Sequence, residues 1–140
     1  MLITAIIQKS SWKKAVLFTV LFTTFYILIN YSSIGVAGLL KITDGANVLD
    51  LEFGYTYERA YDMLTALGPE GRAFYLKMIP LDFPVPFTYM LFFAGFIALF
   101  SKPLKRSLQH LISIPVLAML FDWTENIGII AMLNSYPIYK

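Results

Sequence analysis

The chain has 140 residues, of which 58% are apolar or aromatic, and its mean hydropathy of +0.66 is far above that of an ordinary soluble domain. The net charge is only +2 and there is no cysteine, which argues against a nucleic-acid partner and excludes disulfides and thiolate metal sites. These totals predict a single all-α membrane domain over residues 1–140, an integral helical bundle.

The amino-terminal part predicts a surface segment followed by a first membrane-spanning helix. Residues 1–14 combine apolar side chains with lysines, which is typical of a segment on the membrane surface. Residues 15–40 are mostly apolar and exceed the roughly 20 residues that a helix needs to cross a bilayer. Asn30 is the main polar interruption of this first span.

Residues 41–68 predict a polar outer loop that contains one amphipathic helix. Six of the nine acids of the chain fall between residues 44 and 70. Thr56 is a suitable N-cap for this helix, and Gly68-Pro69 is a suitable end. Apolar residues recur at the spacing of one helix face: Tyr57, Ala60, Tyr61, Leu64 and Leu67. We expect the helix to lie along the membrane interface.

The second predicted span, residues 69–101, is interrupted by Pro80, Pro84 and Pro86. Each proline removes a backbone donor, so we expect the helix to kink or break near Asp82. Broken helices in membranes are tolerated where they line a cavity or are buried in protein. The alternative is that Pro80 ends one helix and that Asp82 is the N-cap of the next.

The third predicted span, residues 107–133, carries Asp122, Glu125 and Asn126 on one helix face. The eleven Leu, Ile, Val and Phe residues between positions 111 and 133 favour membrane insertion by roughly 3 to 7 kcal/mol. One Asp and one Glu near the helix centre oppose insertion by about 5 to 7 kcal/mol. This helix barely enters a bilayer alone, so we expect other helices to cover its polar face.

Basic residues predict the orientation of the three spans. No acid occurs in residues 1–40 or 83–121. The basic residues that flank the spans are Lys9, Lys13, Lys14, Lys102, Lys105 and Arg106. Because such residues favour the cytoplasmic side, we expect the amino terminus and the turn 101–106 in the cytoplasm and the loop 41–70 outside. The predicted location is the inner or plasma membrane of the cell, with several passes.

Polar residues of the three spans reach a similar depth, about 15 to 17 Å from the outer helix ends. We therefore predict one outward-facing pocket formed by seven candidate residues: Asn30, Arg72, Tyr75, Asp82, Asp122, Glu125 and Asn126. Tyr75, Asp82 and Tyr89 are spaced by seven residues and share one stripe unless the prolines rotate it. Crowded carboxylates in a low dielectric cannot all stay ionised, which is the chemistry of proton transfer or of an oxygen-ligated cation site.

This pocket predicts binding of a lipid-like ligand or a cation. Zinc is not expected, because the only histidine, His110, lies about 18 Å along the helix from Asp122, and the sequence identifies no cofactor. One alternative is an accessory subunit of a membrane complex, and another is an enzyme with Asp122 or Glu125 as general acid or base on a lipophilic substrate. A further interpretation is structural hydrogen bonding between helices. The expected partners are the lipid bilayer and either a second copy or another membrane subunit.

Four short motifs mark residues 55–137. They are Leu67-Gly68-x2-Gly71-Arg72-x2-Tyr75, Asp82-Phe83-Pro84-Val85-Pro86 followed by Tyr89, Asp122-x2-Glu125-Asn126, and Tyr136-Pro137. In these motifs the chain resembles small uncharacterised bacterial multi-spanning membrane proteins, with one residue fewer before the first proline of the second motif. The resemblance implies no known activity, and it implies a fourth apolar helix after Tyr136-Pro137.

Overall fold

The structure is a computed structural model that describes residues 6, 8–45, 48–49, 54–101 and 106–137. Across these residues the regular elements are all helical, and no strand occurs among them. The helices are α1 (Trp12–Tyr31), α2 (Val36–Ile42), α3 (Tyr57–Ala66), α4 (Gly68–Asp82), α5 (Pro84–Ser101), a 3₁₀ helix (Arg106–Ile112) and α6 (Ser113–Ser135). The predicted all-α class is thus confirmed.

Three stretches of helix are long and apolar enough to cross a membrane. They are Trp12–Ile42, Gly68–Ser101 and Gln109–Ser135. Their positions agree with the three spans predicted from the sequence. Three predicted segments lie partly outside the described residues. Those parts are residues 1–5 and 7 of the predicted surface segment, 46–47 and 50–53 of the predicted outer loop, and 102–105 of the predicted basic turn.

The first candidate span is interrupted, which the apolar pattern of residues 15–40 did not predict. α1 ends at Tyr31, residues 32–35 form turns and bends, and α2 begins at Val36. The Ser32 hydroxyl donates a hydrogen bond of 2.5 Å to the Leu28 carbonyl. A Cβ atom on Gly35 would collide with the Ile29 carbonyl oxygen. The chain therefore turns tightly at a residue that has no side chain.

The second candidate span breaks at the predicted place. α4 contains Pro80 and ends at Asp82, and α5 begins at Pro84. The intervening Phe83 keeps a helical backbone and donates its N–H to the Ile79 carbonyl over 3.3 Å. Because Pro80 lies inside α4, Asp82 is the last residue of a helix, and the N-cap alternative is wrong.

The third candidate span starts with the 3₁₀ helix and continues as α6 to Ser135. Pro115 is the third residue of α6, in the first turn, where its missing backbone donor interrupts no helical hydrogen bond. Asp122, Glu125 and Asn126 then lie well inside α6. The three polar residues therefore share one face of a regular α-helix, as predicted.

The predicted outer loop contains α3, which Thr56 caps by accepting a hydrogen bond from the Arg59 N–H over 3.3 Å. Its buried residues are Ala60, Met63 and Leu64. Gly68 follows with a φ of 64°, a left-handed conformation that glycine adopts without steric cost and that separates α3 from α4. The membrane-interface position of α3 stays a prediction.

The chain divides into two compact units, and each candidate span contributes to both. Unit 1 comprises Met1–Tyr26 and Pro84–Trp123, and unit 2 comprises Ile27–Phe83 and Thr124–Lys140. The expectation of one membrane domain stays a prediction. The core of unit 1 is formed by Met90, Ala94, Ala98, Ile112 and Met119.

In unit 2, α4 packs against both α2 and α3. Its buried residues include Tyr75, Met78 and Ile79, and Leu39 of α2 and Leu64 of α3 are fully buried as well. This packing fixes the rotation of α4 about its axis, and the rotation in turn sets the directions in which the Arg72 and Asp82 side chains leave the helix.

Candidate functional site

Asp122 accepts a hydrogen bond within unit 1. The Tyr89 hydroxyl of α5 donates to its Oδ2 over 2.9 Å, and both side chains are half-buried. The Tyr89 ring is held in turn by an edge-on contact with Phe22 of α1, at a centroid distance of 6.5 Å. An aromatic ring fixed by packing thus presents its phenol to the carboxylate.

Asp82 accepts a hydrogen bond within unit 2. The Asn126 side-chain amide donates to its Oδ2 over 2.8 Å, which joins the end of α4 to the middle of α6. Asn126 is only 3% exposed. A buried amide that lost this acceptor would leave a donor unsatisfied, so the pair ties the two helices together.

Arg72 lies in a cluster with two aromatic residues of unit 2, which we call the arginine cluster: Arg72, Tyr136, Tyr61 and Thr65. The Arg72 guanidinium donates to the Leu64 carbonyl over 2.7 Å and lies 4.0 Å from the centroid of the Tyr136 ring. This is a cation–π geometry. The Tyr136 hydroxyl lies 3.0 Å from the Thr65 hydroxyl, and the Tyr61 and Tyr136 rings are 5.5 Å apart.

The arginine cluster shifts the titration of one of its tyrosines. Repulsion from the neighbouring Tyr136 phenol, together with a hydrogen bond to it, raises the pKa of Tyr61 above its ordinary value. Tyr61 therefore stays a neutral donor at physiological pH. At the start of α3, hydrogen bonds from its own backbone N–H and then from Thr56 lower the pKa of Glu58, so a negative charge remains at the helix N-terminus, where the helix dipole favours it.

The remaining predicted site residues also belong to unit 2. Tyr75 is fully buried, whereas Asn30 and Glu125 are half-buried. Each of the three has an interaction partner. Six of the seven predicted pocket residues thus belong to unit 2, and Asp122 belongs to unit 1. The single pocket shared by all seven stays a prediction.

Tyr136 is a contact of Arg72 that the sequence did not predict, and Tyr61 and Thr65 are in turn contacts of Tyr136. Aromatic residues near the ends of spans are typical of membrane proteins in general, so the presence of Tyr61 and Tyr136 did not indicate these contacts. A signal was present in the sequence. Tyr61 and Thr65 are four residues apart and share a face of α3.

The acids do not assemble as metal ligands in the described part of the chain. Among those residues, no group of three or more His, Asp or Glu side chains could hold a metal ion. Unit 2 provides a carboxylate with an amide and a guanidinium on an aromatic ring, and unit 1 separately provides a carboxylate with a phenol. These groups can recognise the polar part of an organic molecule.

Comparison of the chain with protein-family models, with curated proteins and with solved structures finds no match. The resemblance to bacterial multi-spanning membrane proteins therefore stays a prediction.

Proposed function

We propose that the chain is a small multi-pass protein of the cell membrane that binds a lipid-like ligand through polar side chains of unit 2. One observation carries the proposal: the Asp82 carboxylate is held by the buried Asn126 amide between two candidate spans. Ionisable residues within spans are costly in a membrane, and they mark functional sites by default.

In the proposed orientation the amino terminus is cytoplasmic, the loop 41–70 is outside and α3 lies along the outer interface. The basic residues near the amino terminus support this orientation through the positive-inside rule. Ala60, Met63 and Leu64 of α3 are buried and the charged residues of the helix are exposed, and this amphipathic pattern supports an interfacial position. The arginine cluster then lies at the outer end of the site.

The spacing along α4 favours a lipid-like ligand over a cation. Arg72 precedes Asp82 by ten residues, about 15 Å of helix rise. A guanidinium recognises carboxylate or phosphate groups through paired hydrogen bonds, and Asp82 is an acceptor for a hydroxyl or an amine. A ligand that meets both has to be long and amphipathic. The absence of a three-ligand group among the described residues also disfavours a cation.

A second candidate is an accessory subunit, whose partner helices would pack on the exposed apolar surface of α6. Large apolar side chains of this helix are exposed, including Phe121 at 72% and Ile127 at 61%. Lipid tails or the helices of a partner would cover them equally well. Purification of the chain with a stoichiometric protein partner, and without a bound lipid-like compound, would favour this candidate.

The test is the identity of the compounds that purify with the protein. We would extract the full chain in mild detergent and identify the bound lipids by mass spectrometry for the wild type, Asp82→Asn and Glu125→Gln. Asp82→Asn removes the charge but keeps an oxygen that can accept the Asn126 hydrogen bond. Asp62→Asn is the matched control, because Asp62 is an exposed acid of α3.

We expect one amphipathic compound to be enriched with the wild type and the control, and to fall at least about tenfold in Asp82→Asn, because a charge-assisted hydrogen bond is lost. Bound lipids that are the same in all four proteins would contradict the proposal.

A further inference from the structure

Unit 1 contains a partly open cavity of about 280 Å³ between the start of α1 and the middle of α5. One part of its lining is basic and hydroxylic, with Lys9, Ser11 and Lys14. Another part is apolar, with Phe18, Met90 and Leu91. None of these residues belongs to the site proposed above, so the cavity requires its own explanation.

The local structure holds the Lys14 side chain beside the backbone of Lys9, and both lysines line the cavity. The Lys14 ammonium donates to the Lys9 carbonyl over 2.7 Å, and the Lys14 backbone N–H donates to the Ser11 hydroxyl over 3.4 Å. An ammonium carries three donors, and this bond uses one of them. Residues 1–40 contain no acid, so the amino-terminal segment supplies no carboxylate to neutralise this charge.

The apolar part of the cavity exists because α5 places small residues there. Met90, Leu91, Ala94 and Gly95 share one face of that helix. A Cβ atom on Gly95 would meet only Phe18, at 3.6 Å. A larger side chain at this position would occupy the space, so the volume of the cavity depends on the glycine.

The polar and apolar parts follow the order of groups in a phospholipid. Trp12 lies between Lys9 and Lys14 in the sequence, is exposed, and contacts Phe96 and Phe100 edge-on. Tryptophan in such a position is typical of the membrane–water interface. Met90 lies six residues before Phe96 on α5, about 9 Å further along the helix. The lysines are thus at headgroup level, and the apolar residues extend towards the acyl chains.

We infer that this cavity binds an anionic phospholipid, with Lys9 and Lys14 at the phosphate and the first part of one acyl chain against Phe18, Met90 and Leu91. The two ammonium groups complement the charge of the headgroup. The volume is at the lower limit of small-molecule pockets, about 300 to 1,000 Å³. It therefore suits part of a lipid whose remaining chain stays in the bilayer.

The test compares lysines that line the cavity with one that does not. The full chain is placed in nanodiscs of equal parts phosphatidylglycerol and phosphatidylcholine, and the lipids that stay bound are counted by native mass spectrometry. We expect phosphatidylglycerol to be enriched on the wild type, and this enrichment to fall about fivefold in Lys9→Gln and in Lys14→Gln. Lys13→Gln is the matched control and keeps the wild-type enrichment. An equal fall in Lys13→Gln would show diffuse surface attraction and overturn the inference.

A second pair of variants tests the cavity itself. Gly95→Leu fills the apolar part and abolishes the enrichment, whereas Gly128→Leu, at a helix position with nothing within 4 Å of an added Cβ atom, retains it. Retained enrichment in a folded Gly95→Leu variant would overturn the inference. Binding of inorganic phosphate in the absence of lipid that is undiminished in Gly95→Leu would also overturn it, because the site would then be one for a free anion. If Gly95→Leu fails to fold, the lysine variants decide.

Discussion

Two carboxylates on the candidate spans, Asp82 and Asp122, accept a hydrogen bond from another span, but their donors differ. Asp122 is bonded by the Tyr89 phenol, on a side chain that is half-buried. Asp82 is bonded by the Asn126 amide, which is almost wholly buried. A hydrogen bond that involves a buried group is less easily replaced by other partners than one between half-buried groups. We therefore expect the bond between Asn126 and Asp82 to contribute more to stability.

The largest effect is expected for Asn126→Ala. This change removes the donor to Asp82 and leaves a gap in a buried position, so we expect a loss of about 1 to 3 kcal/mol in the free energy of unfolding. The measurement is a denaturation curve of the detergent-solubilised protein. Asn134→Ala is the matched control, because Asn134 is exposed on the same helix. Equal stability of the two variants would contradict a structural role for the Asp82/Asn126 pair.

A smaller effect is expected for Tyr89→Phe. The ring and its contact with Phe22 remain, and only the hydroxyl that donates to Asp122 is removed. Hydrogen bonds between membrane helices contribute about 0.6 kcal/mol on average, so we expect a loss of that order in the same denaturation experiment. Tyr31→Phe, at a side chain that is 70% exposed, controls for loss of a hydroxyl. If Tyr89→Phe lost more free energy of unfolding than Asn126→Ala, the bond of Asp122 would contribute more to stability than the bond of Asp82, contrary to our expectation.

The sequence predicted the helical elements better than the partners of their polar groups. Pro80 and Pro84 predicted the break beside Asp82, because a proline acts on the backbone locally, wherever the helix packs. The hydrogen bonds of Asp82 with Asn126 and of Asp122 with Tyr89 depend on how each helix is rotated about its axis, and the sequence pattern does not give that rotation. The seven-residue spacing of Asp82 and Tyr89 predicted one shared stripe, yet these two residues belong to different units.

Two further features depend on contacts that sequence spacing does not contain. At the break, residues 32–35, the backbone of Gly35 lies so close to the Ile29 carbonyl that a side chain would not fit, within a stretch whose hydropathy stays high. The contact of Arg72 with Tyr136 joins residues 64 positions apart in the chain. Both arise from the packing of whole helices, which local propensity does not determine.

The proposed function depends most on whether the polar face of α6 is reached from outside the cell. The chain has no cysteine, so single cysteines can be labelled without background in the full-length protein. We would place one at Glu125, on the proposed polar face, and one at Phe121, whose exposed side chain should face lipid. Membrane vesicles of defined orientation would then be treated with a thiol reagent that does not cross the membrane.

The account predicts that the Glu125→Cys protein is labelled from the outside and not from the cytoplasmic side. The Phe121→Cys protein should stay unlabelled from either side, because a thiol in lipid does not ionise. Labelling of Glu125→Cys from the cytoplasmic side alone, or no labelling in a folded protein, would contradict the outward-facing pocket.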